Sequence, residues 1–337
     1  IETALLNNRE LAIAMARIEE ARAALGFVRA DQYPNIGGQA GAARGNTVPT
    51  TGVPGEIGES FVLAAGLSFE IDLWGKLRRS TEAARAELLA TVDARNVLTI
   101  TLISDVAGLY LLLLDLDQRV GIAQRTRETR RESLGIIEAR FNKGVVPLID
   151  VNQAQIELGD AIAELSALER QRQQAENALS VLLGRNPGPV GRTSKGLASA
   201  LDIPEIPAGL PSELLERRPD IRQSSQLLAA QTARIGVAEA LRFPSLSLTG
   251  SLGLASTDLD DFISSDNKVW SIGADVLGPI FDAGRGKSRV EVERARTEQL
   301  LNSYELTVLQ AFQEVEDALV AIETFELEAH ARETQVA

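Results

Sequence analysis

Leu5–Ile36 reads LLNNRELAIAMARIEEARAALGFVRADQYPNI, and Leu215–Leu246 reads LERRPDIRQSSQLLAAQTARIGVAEALRFPSL. Laid side by side without a gap, Leu5 meets Leu215, Ala23 meets Ala233, Gly26 meets Gly236, Ala30 meets Ala240 and Pro34 meets Pro244. Conservative pairs fill the intervals: Leu11 with Ile221, Leu25 with Ile235, Tyr33 with Phe243 and Ile36 with Leu246. A register held over that span marks an internal duplication. Each copy reads as an amphipathic helix ending at an aromatic-proline step, where proline forbids further helix and favours extended chain. What the repeated unit builds decides the function.

Working outward, residues 1–32 are expected to be helical, with Leu11, Ile18, Ala21, Leu25 and Val28 on one face. Glycine, proline and small polar residues in 37–58, Pro49 and Pro54 among them, predict a loop. Phe61, Leu63, Ala65, Leu67, Phe69 and Ile71 then alternate with Ser60, Ala64, Gly66, Ser68, Glu70 and Asp72, the period of a strand. In the second copy Leu246, Leu248, Leu252 and Leu254 alternate with Ser245, Ser247, Thr249, Ser251 and Gly253. An acidic loop follows (Asp258, Asp260, Asp261, Asp266), then a strand with Trp270, Ile272, Ala274 and Val276 on one side. Strands of about 11–13 residues are long enough to cross a bilayer at a tilt. One face is apolar and the other is Ser, Thr and Gly, as a wet lumen requires. Four such strands close no barrel, so an oligomer has to supply the rest.

From Leu77 to Pro147 there is no proline and the periodicity is helical, predicting a coiled-coil rod over 77–141. Residues 97–116 are apolar enough to weigh as a membrane span. Thr99, Thr101, Ser104, Asp105 and Asp115 interrupt them, which favours a buried coiled coil. Gly144 and Pro147 end the helix at a tip (142–149), and Asp150 sits in the first turn of a return helix over 150–183. That helix carries a heptad with Val151, Leu158, Leu165 and Leu179 at one core position. Ala154, Ala161, Leu168, Ala175 and Leu182 hold the other, and Arg172 alone interrupts. The last helix repeats the pattern, Leu301, Val308, Val315 and Ile322 against Tyr304, Ala311, Ala318 and Phe325. The Gly-Val-Val-Pro-Leu tip exposes apolar groups far from any core, which predicts a partner contact.

Composition removes several function classes. A formal charge of −13 argues against a nucleic-acid partner. The chain has no cysteine, hence no thiolate nucleophile or Cys-based metal site. His330 is the only histidine and lies in a polar tail, and carboxylate pairs such as Glu19 with Glu20 or Glu314 with Glu316 fall on solvated helix faces. No cofactor, metal site or catalytic residue is expected. Ala283-Gly284-Arg285-Gly286-Lys287-Ser288 sits between a strand and a helix, but Phe281 stands where a phosphate loop needs glycine. Gly75 and Gly284 read instead as strand-to-helix turns. The loop over 258–266 lacks the glycine and terminal glutamate of a calcium loop. The competing reading is a soluble coiled-coil scaffold carrying two hairpins.

The order helix, two strands, long helix, tip, return helix, then the same again, resembles the TolC-type outer-membrane efflux channels, in their OprM-like lipoprotein branch. The resemblance is carried by Leu210-Pro211-Ser212-Glu213-Leu214-Leu215-Glu216-Arg217-Arg218-Pro219-Asp220-Ile221, by Ala233-Arg234-Ile235-Gly236-Val237-Ala238 and by Phe243-Pro244-Ser245-Leu246-Ser247-Leu248-Thr249-Gly250. Asp72-Leu73-Trp74-Gly75 and Gly278-Pro279-Ile280-Phe281-Asp282-Ala283-Gly284 resemble the family's turns. The resemblance implies a mainly α fold with membrane β-hairpins. Three copies would share a twelve-stranded barrel in the outer membrane above a long periplasmic α-barrel. It implies a homotrimer that meets a membrane-fusion adapter and an inner-membrane pump and passes drugs, metals or other small molecules. Gly144, Val145, Val146, Pro147, Asp150 and Gln153 would form the adapter-contact tip, with Asp150 near the periplasmic constriction. Ser245, Ser247, Thr249 and Ser251 would face the lumen, and Leu246, Leu248 and Leu252 the lipid.

On this reading residues 1–183 are the first repeat, with its hairpin over 33–72. Residues 184–210 are an equatorial connector, and 211–337 the second repeat, with a helix over 211–242, a hairpin over 243–282 and a long helix over 287–337. The family's acylated N-terminal cysteine has no counterpart in the sequence. Nor does anything before Ala337 match the segment that follows Phe141 in the first copy, so the expectation is a fragment lacking its second tip.

Overall fold

The computed structural model describes residues 1–46, 57–192 and 216–336. The elements are α1 (Glu2–Asn7), α2 (Arg9–Ala30), β1 (Asn35–Gly45), β2 (Gly58–Ile71), α3 (Lys76–Asn142), α4 (Leu148–Leu182), α5 (Pro219–Ala240), β3 (Ser245–Ser256), a 3-10 turn (Ser265–Asn267), β4 (Lys268–Leu277) and α6 (Arg285–Val336). Pro49, Pro54, most of the connector and Leu210 to Leu215 lie outside the described residues. Two compact units divide the chain, Ile1–Ala16 with Arg95–Gly209 and Arg17–Ala94 with Leu210–Ala337. This division cuts across the sequence repeats.

In the first unit a seam of Leu102, Val106, Leu113, Leu116, Val120 and Ala123 on α3 packs with Leu165, Leu168, Ala175 and Leu179 on α4 and with Ala4. Each buried leucine stabilises by about 1.5–3 kcal/mol. The most apolar window of α3 has a mean hydropathy of 2.1, yet only 22% of it is buried within the chain. Its inward residues form the seam; Ile100 and Leu112 point outward. Arg172, the break in the α4 heptad, has a physical account. It lies 3.8 Å from Asp117, which also accepts from Arg192 at 2.8 Å. Arg192 donates in turn to the buried Glu176 at 2.7 Å, and the Val190 amide donates to the same oxygen. The Arg192 guanidinium holds the Glu176 carboxyl below its usual range despite desolvation, while Glu176 raises Arg192. A cluster of charges therefore replaces one apolar layer and pins residues 188–192 to the helices.

The expected single helix over 1–32 is two. Asn8 is extended (ψ 130°) between α1 and α2. Its Oδ1 accepts from the Leu11 amide at 3.0 Å and its Nδ2 donates to the Leu182 carbonyl at 3.0 Å. A side chain that caps one helix and ties down another outweighs helical continuity.

The second unit holds the sheet, whose strands lie in the order β1-β2-β3-β4, all antiparallel. The predicted loop over 37–58 is corrected: residues through Gly45 are strand, paired from Asn35 opposite Ser68 to Gly45 opposite Gly58. Glycine is a poor strand former in isolation, but the neighbouring strand supplies the ladder. The predicted helix start at 211 lies outside the described residues; where they resume, 216 and 217 are helical and the predicted single helix over 211–242 breaks at Arg218. Arg218 is extended, as a residue before proline should be, and Pro219 occupies the first turn of α5.

α5 buries Ile221, Ala230, Ala233, Ala238 and Ala240, and these small residues allow close approach. A Cβ on Gly236 would lie 3.0 Å from the Arg79 side chain. Polar links run to both flanking helices: Arg222–Asp93 (3.2 Å) and Arg234–Glu87 toward α3, Gln231–Glu293 (2.5 Å) and Arg294–Glu239 (3.0 Å) toward α6. Arg218 bridges Asp220 and Glu314, each at 2.7 Å, which lowers the Asp220 carboxyl and raises Arg218. Of the predicted α6 seam, Ala311 is buried and Tyr304, Val308 and Val315 are half-buried; Leu301, Ala318, Ile322 and Phe325 are exposed in the single chain.

Candidate conduit surface and helical tip

Because side chains alternate along a strand and directly paired residues share a face, the ladders fix both surfaces of the sheet. Ser247 pairs with Glu70 and Asp275, Thr249 with Ser68 and Gly273, and Ser251 with Gly66 and Ser271. Asn35 lies beside Ser68, Gly37 beside Gly66 and Gln39 beside Ala64, so β1 extends the same polar, small-residue face. Ser251 and Ser271 share a hydrogen bond of 2.8 Å between their hydroxyls. Ser245 falls on this face at the strand end, where its hydroxyl donates to the Leu277 carbonyl at 3.2 Å. The opposite face carries Leu246 beside Ile71 and Val276, Leu248 beside Phe69 and Ala274, Leu252 beside Ala65 and Trp270, and Leu254 beside Leu63. Leu252 is 65% exposed and Ile272 85%, so among the described residues nothing covers the middle of this apolar surface.

Glycine makes the sheet close. A Cβ on Gly253 would stand 2.4 Å from the Leu63 carbonyl oxygen, and one on Gly273 2.9 Å from the Thr249 hydroxyl. Beyond β3, Phe262 of the acidic loop meets Phe61 edge to face at 6.3 Å. Among the described residues no group of three His, Cys, Asp or Glu could hold a metal ion.

Where strands give way to helices, the two copies use one device. Gly75 (φ 80°) and Gly284 (φ 88°) take the left-handed conformation that side chains resist. Asp72 accepts from the Leu77 and Arg78 amides, and Asp282 from the Gly284 and Gly286 amides. The Gly286 and Gly284 amides hold the Asp282 carboxyl below its ordinary range. That carboxylate occupies the amide groups a phosphate would need, so the Gly286-Lys287-Ser288 segment is a capped helix start. Trp74 stacks on Phe243 at 4.6 Å and donates to the Pro244 carbonyl at 2.7 Å. Both aspartates lie in the turn segments that the sequence marks; their capping role was not legible there.

At the tip, α3 ends in a paired backbone lock. The Gly144 amide donates to the Phe141 carbonyl and the Val145 amide to Arg140, with Gly144 at φ 71°. Pro147 precedes α4, and Asp150 stands in its first turn. Val146, Asp150 and Gln153 join Arg130, Ile137, Arg140, Ile149 and Glu157 around an open groove of about 380 Å³. An Arg130–Glu157 ion pair of 2.7 Å lies on it. Gly144, Val145 and Pro147 do not line this groove; Val145 is 61% exposed beside it.

Residues 1–185 and 210–337 match the sequence profile of the family described as "Outer membrane efflux protein". The chain is 32% identical to the cation efflux system protein CusC of Escherichia coli K12, over 95% of this chain and 69% of CusC. It is 34% identical to the outer membrane protein OprJ of Pseudomonas aeruginosa, over 98% of this chain and 70% of OprJ. The fold superposes on the open-state crystal structure of the Neisseria gonorrhoeae MtrE outer membrane channel with a TM-score of 0.86 at 31% identity, covering 98% of this chain and 74% of MtrE. The duplicated helix-hairpin-helix plan, the two-faced sheet and these matches agree, and the chain belongs to the outer membrane efflux protein family.

Proposed function

We propose that this chain is the outer-membrane channel component of a tripartite efflux system, a passive conduit from periplasm to exterior that works as a homotrimer. The observation that carries this reading is the sheet. Its four strands of 10–14 residues present leucine, isoleucine, phenylalanine and tryptophan to one side and serine, threonine, glycine and carboxylates to the other. Lipid suits the first surface and a water-filled lumen the second. Four strands leave the barrel open, and three copies close it. Ser245, Ser247, Thr249 and Ser251 then line the lumen. The chain supplies a path and no driving force; a pump behind an adapter supplies that.

The tip groove gives the adapter a place to seat. Its apolar members Val146, Ile137 and Ile149 lie among Arg130, Arg140, Asp150 and Glu157. An apolar strip with a polar rim is the usual anatomy of a docking surface. Gly144 fixes the turn, and Asp150 and Gln153 give it polar specificity.

The test is conductance across planar bilayers, with protein produced from its native gene. The wild type should give discrete channel openings, and Asp150→Ala should change closed-state leak or weaken adapter capture. Absence of openings from trimeric wild-type protein would remove the conduit reading. Wild-type leak and wild-type capture in the variant would remove Asp150 from the docking surface.

A further inference from the structure

Where the sheet gives way to helices, a cavity of about 300 Å³ opens beside the ends of β2, β3 and β4. That volume suits a small organic molecule. Glu70, Ser245 and Leu277 of its lining belong to the polar side of the sheet: Glu70 pairs with Ser247, and Leu277 with Ser245. Trp74 and Phe243 add an aromatic wall. This wall is fixed without any ligand. The two rings stack at 4.6 Å with an interplanar angle of 21°, and the Trp74 indole N–H donates to the Pro244 carbonyl at 2.7 Å. Glycine at 278 permits the corner, because a Cβ there would stand 2.6 Å from the Pro244 Cα. Trp74 is still 49% exposed and Phe243 48%, so both rings keep an open surface. An indole whose donor is already satisfied offers a ligand apolar contact and the negative face of its π-system.

The charges around the cavity decide the sign of its occupant. Lys76 neutralises Glu70, its Nζ lying 2.6 and 2.7 Å from the two carboxylate oxygens. Asp72, also in the lining, is held by Arg78 at 3.2 Å and by two backbone amides. Asp275 has no such cover. It is exposed, forms no ion pair among the described residues, and stands two residues from Leu277 on the same face, about 7 Å away. The other charged residues of the strands, Arg44, Glu59 and Lys268, have the opposite parity and lie toward the far ends. The uncompensated charge on the polar side is therefore a carboxylate, next to an aromatic wall.

We propose that this cavity binds small aromatic cations on their way through the conduit. Trp74 and Phe243 hold the apolar body, and the Asp275 carboxylate attracts the cationic head. This rests on the conduit reading and names a substrate class for it. A neutral aromatic molecule keeps the wall and forgoes the carboxylate. An anion meets repulsion beside low-dielectric walls, where charges act more strongly than in bulk water.

The two tryptophans of the sequence make the test direct, since Trp270 lies on the apolar face. In a Trp270→Phe background Trp74 is the sole indole, and its emission reports on the cavity. The purified protein is titrated with benzyltrimethylammonium, benzyl alcohol and phenylacetate. The cation should change the emission saturably and bind several-fold tighter than the alcohol, with phenylacetate weakest. Asp275→Asn should weaken the cation several-fold and leave benzyl alcohol unchanged. Glu70→Gln, which leaves Lys76 unpaired beside the cavity, should also weaken the cation. No saturable response, equal affinities for the three probes, or wild-type cation affinity in Asp275→Asn would overturn the proposal. If the same protein still opens channels in bilayers, the conduit reading survives that result. Charge-selective binding by protein that opens no channels would instead overturn the conduit and, with it, passage through the cavity.

Discussion

Gly184→Ala should cost about 3–5 kcal/mol, because the new methyl group meets backbone on a residue whose conformation is already left-handed. Gly184 has φ 70°, and a Cβ there would lie 2.1 Å from the Asn7 carbonyl oxygen and 2.7 Å from its carbon. The obstruction is main chain, so no rotamer change relieves it. The neighbouring Asn8, whose side chain caps α2 and holds the Leu182 carbonyl, would be displaced with it. Gly188→Ala is the control, since its Cβ would meet nothing closer than the Asn186 carbonyl oxygen at 3.9 Å. Denaturant midpoints of the purified protein should fall sharply for the first variant and little for the second. Equal, small shifts would mean that the α1–α4 junction is looser than described.

The second large effect concerns the membrane surface. Leu252→Arg puts a cation opposite Trp270 and Ala65, in the middle of the apolar face. At bilayer mid-depth that substitution costs about 2–4 kcal/mol per chain. A trimer carries the penalty three times. Ser251→Arg, one residue away, turns its charge to the polar face and should be tolerated. The yield of heat-resistant trimer in outer-membrane fractions should therefore collapse for Leu252→Arg and stay near wild type for Ser251→Arg. Equal yields, or the reverse order, would contradict the assignment of faces.

Much of this was legible in the residues, for physical reasons. The alternation of Leu246, Leu248 and Leu252 with Ser247, Thr249 and Ser251 encodes two faces directly, and the ladder residues confirm the parity. On α2 the predicted stripe of Leu11, Ile18, Ala21, Leu25 and Val28 is the buried or half-buried one, joined by Ala14. The extent of β1 was misread as loop because Gly37, Gly38, Gly41 and Gly45 suppress the propensity signal. Its alternation of Asn35, Gly37 and Gln39 with Ile36, Gly38 and Ala40 becomes strand only beside β2. The break at Asn8 was missed because it depends on a carbonyl 174 residues away. The Glu176–Arg192–Asp117 cluster was invisible for the same reason, although Arg172 in a heptad core flagged the place. At the tip, Gly144 and Pro147 announced the turn, but the groove depends on α3 side chains such as Arg130 and Ile137 that no local pattern marks.

The central claim is that one surface of the sheet touches lipid and the other touches water. Spin labels placed singly from Leu246 to Leu254 in the reconstituted protein read this directly, through collision with oxygen, which concentrates in lipid, and with a nickel chelate, which stays in water. Two profiles of period two in opposite phase are expected, oxygen highest at Leu246, Leu248, Leu252 and Leu254 and nickel highest at Ser247, Thr249 and Ser251. Profiles in phase with each other, or labels shielded from both reagents along the whole strand, would contradict it.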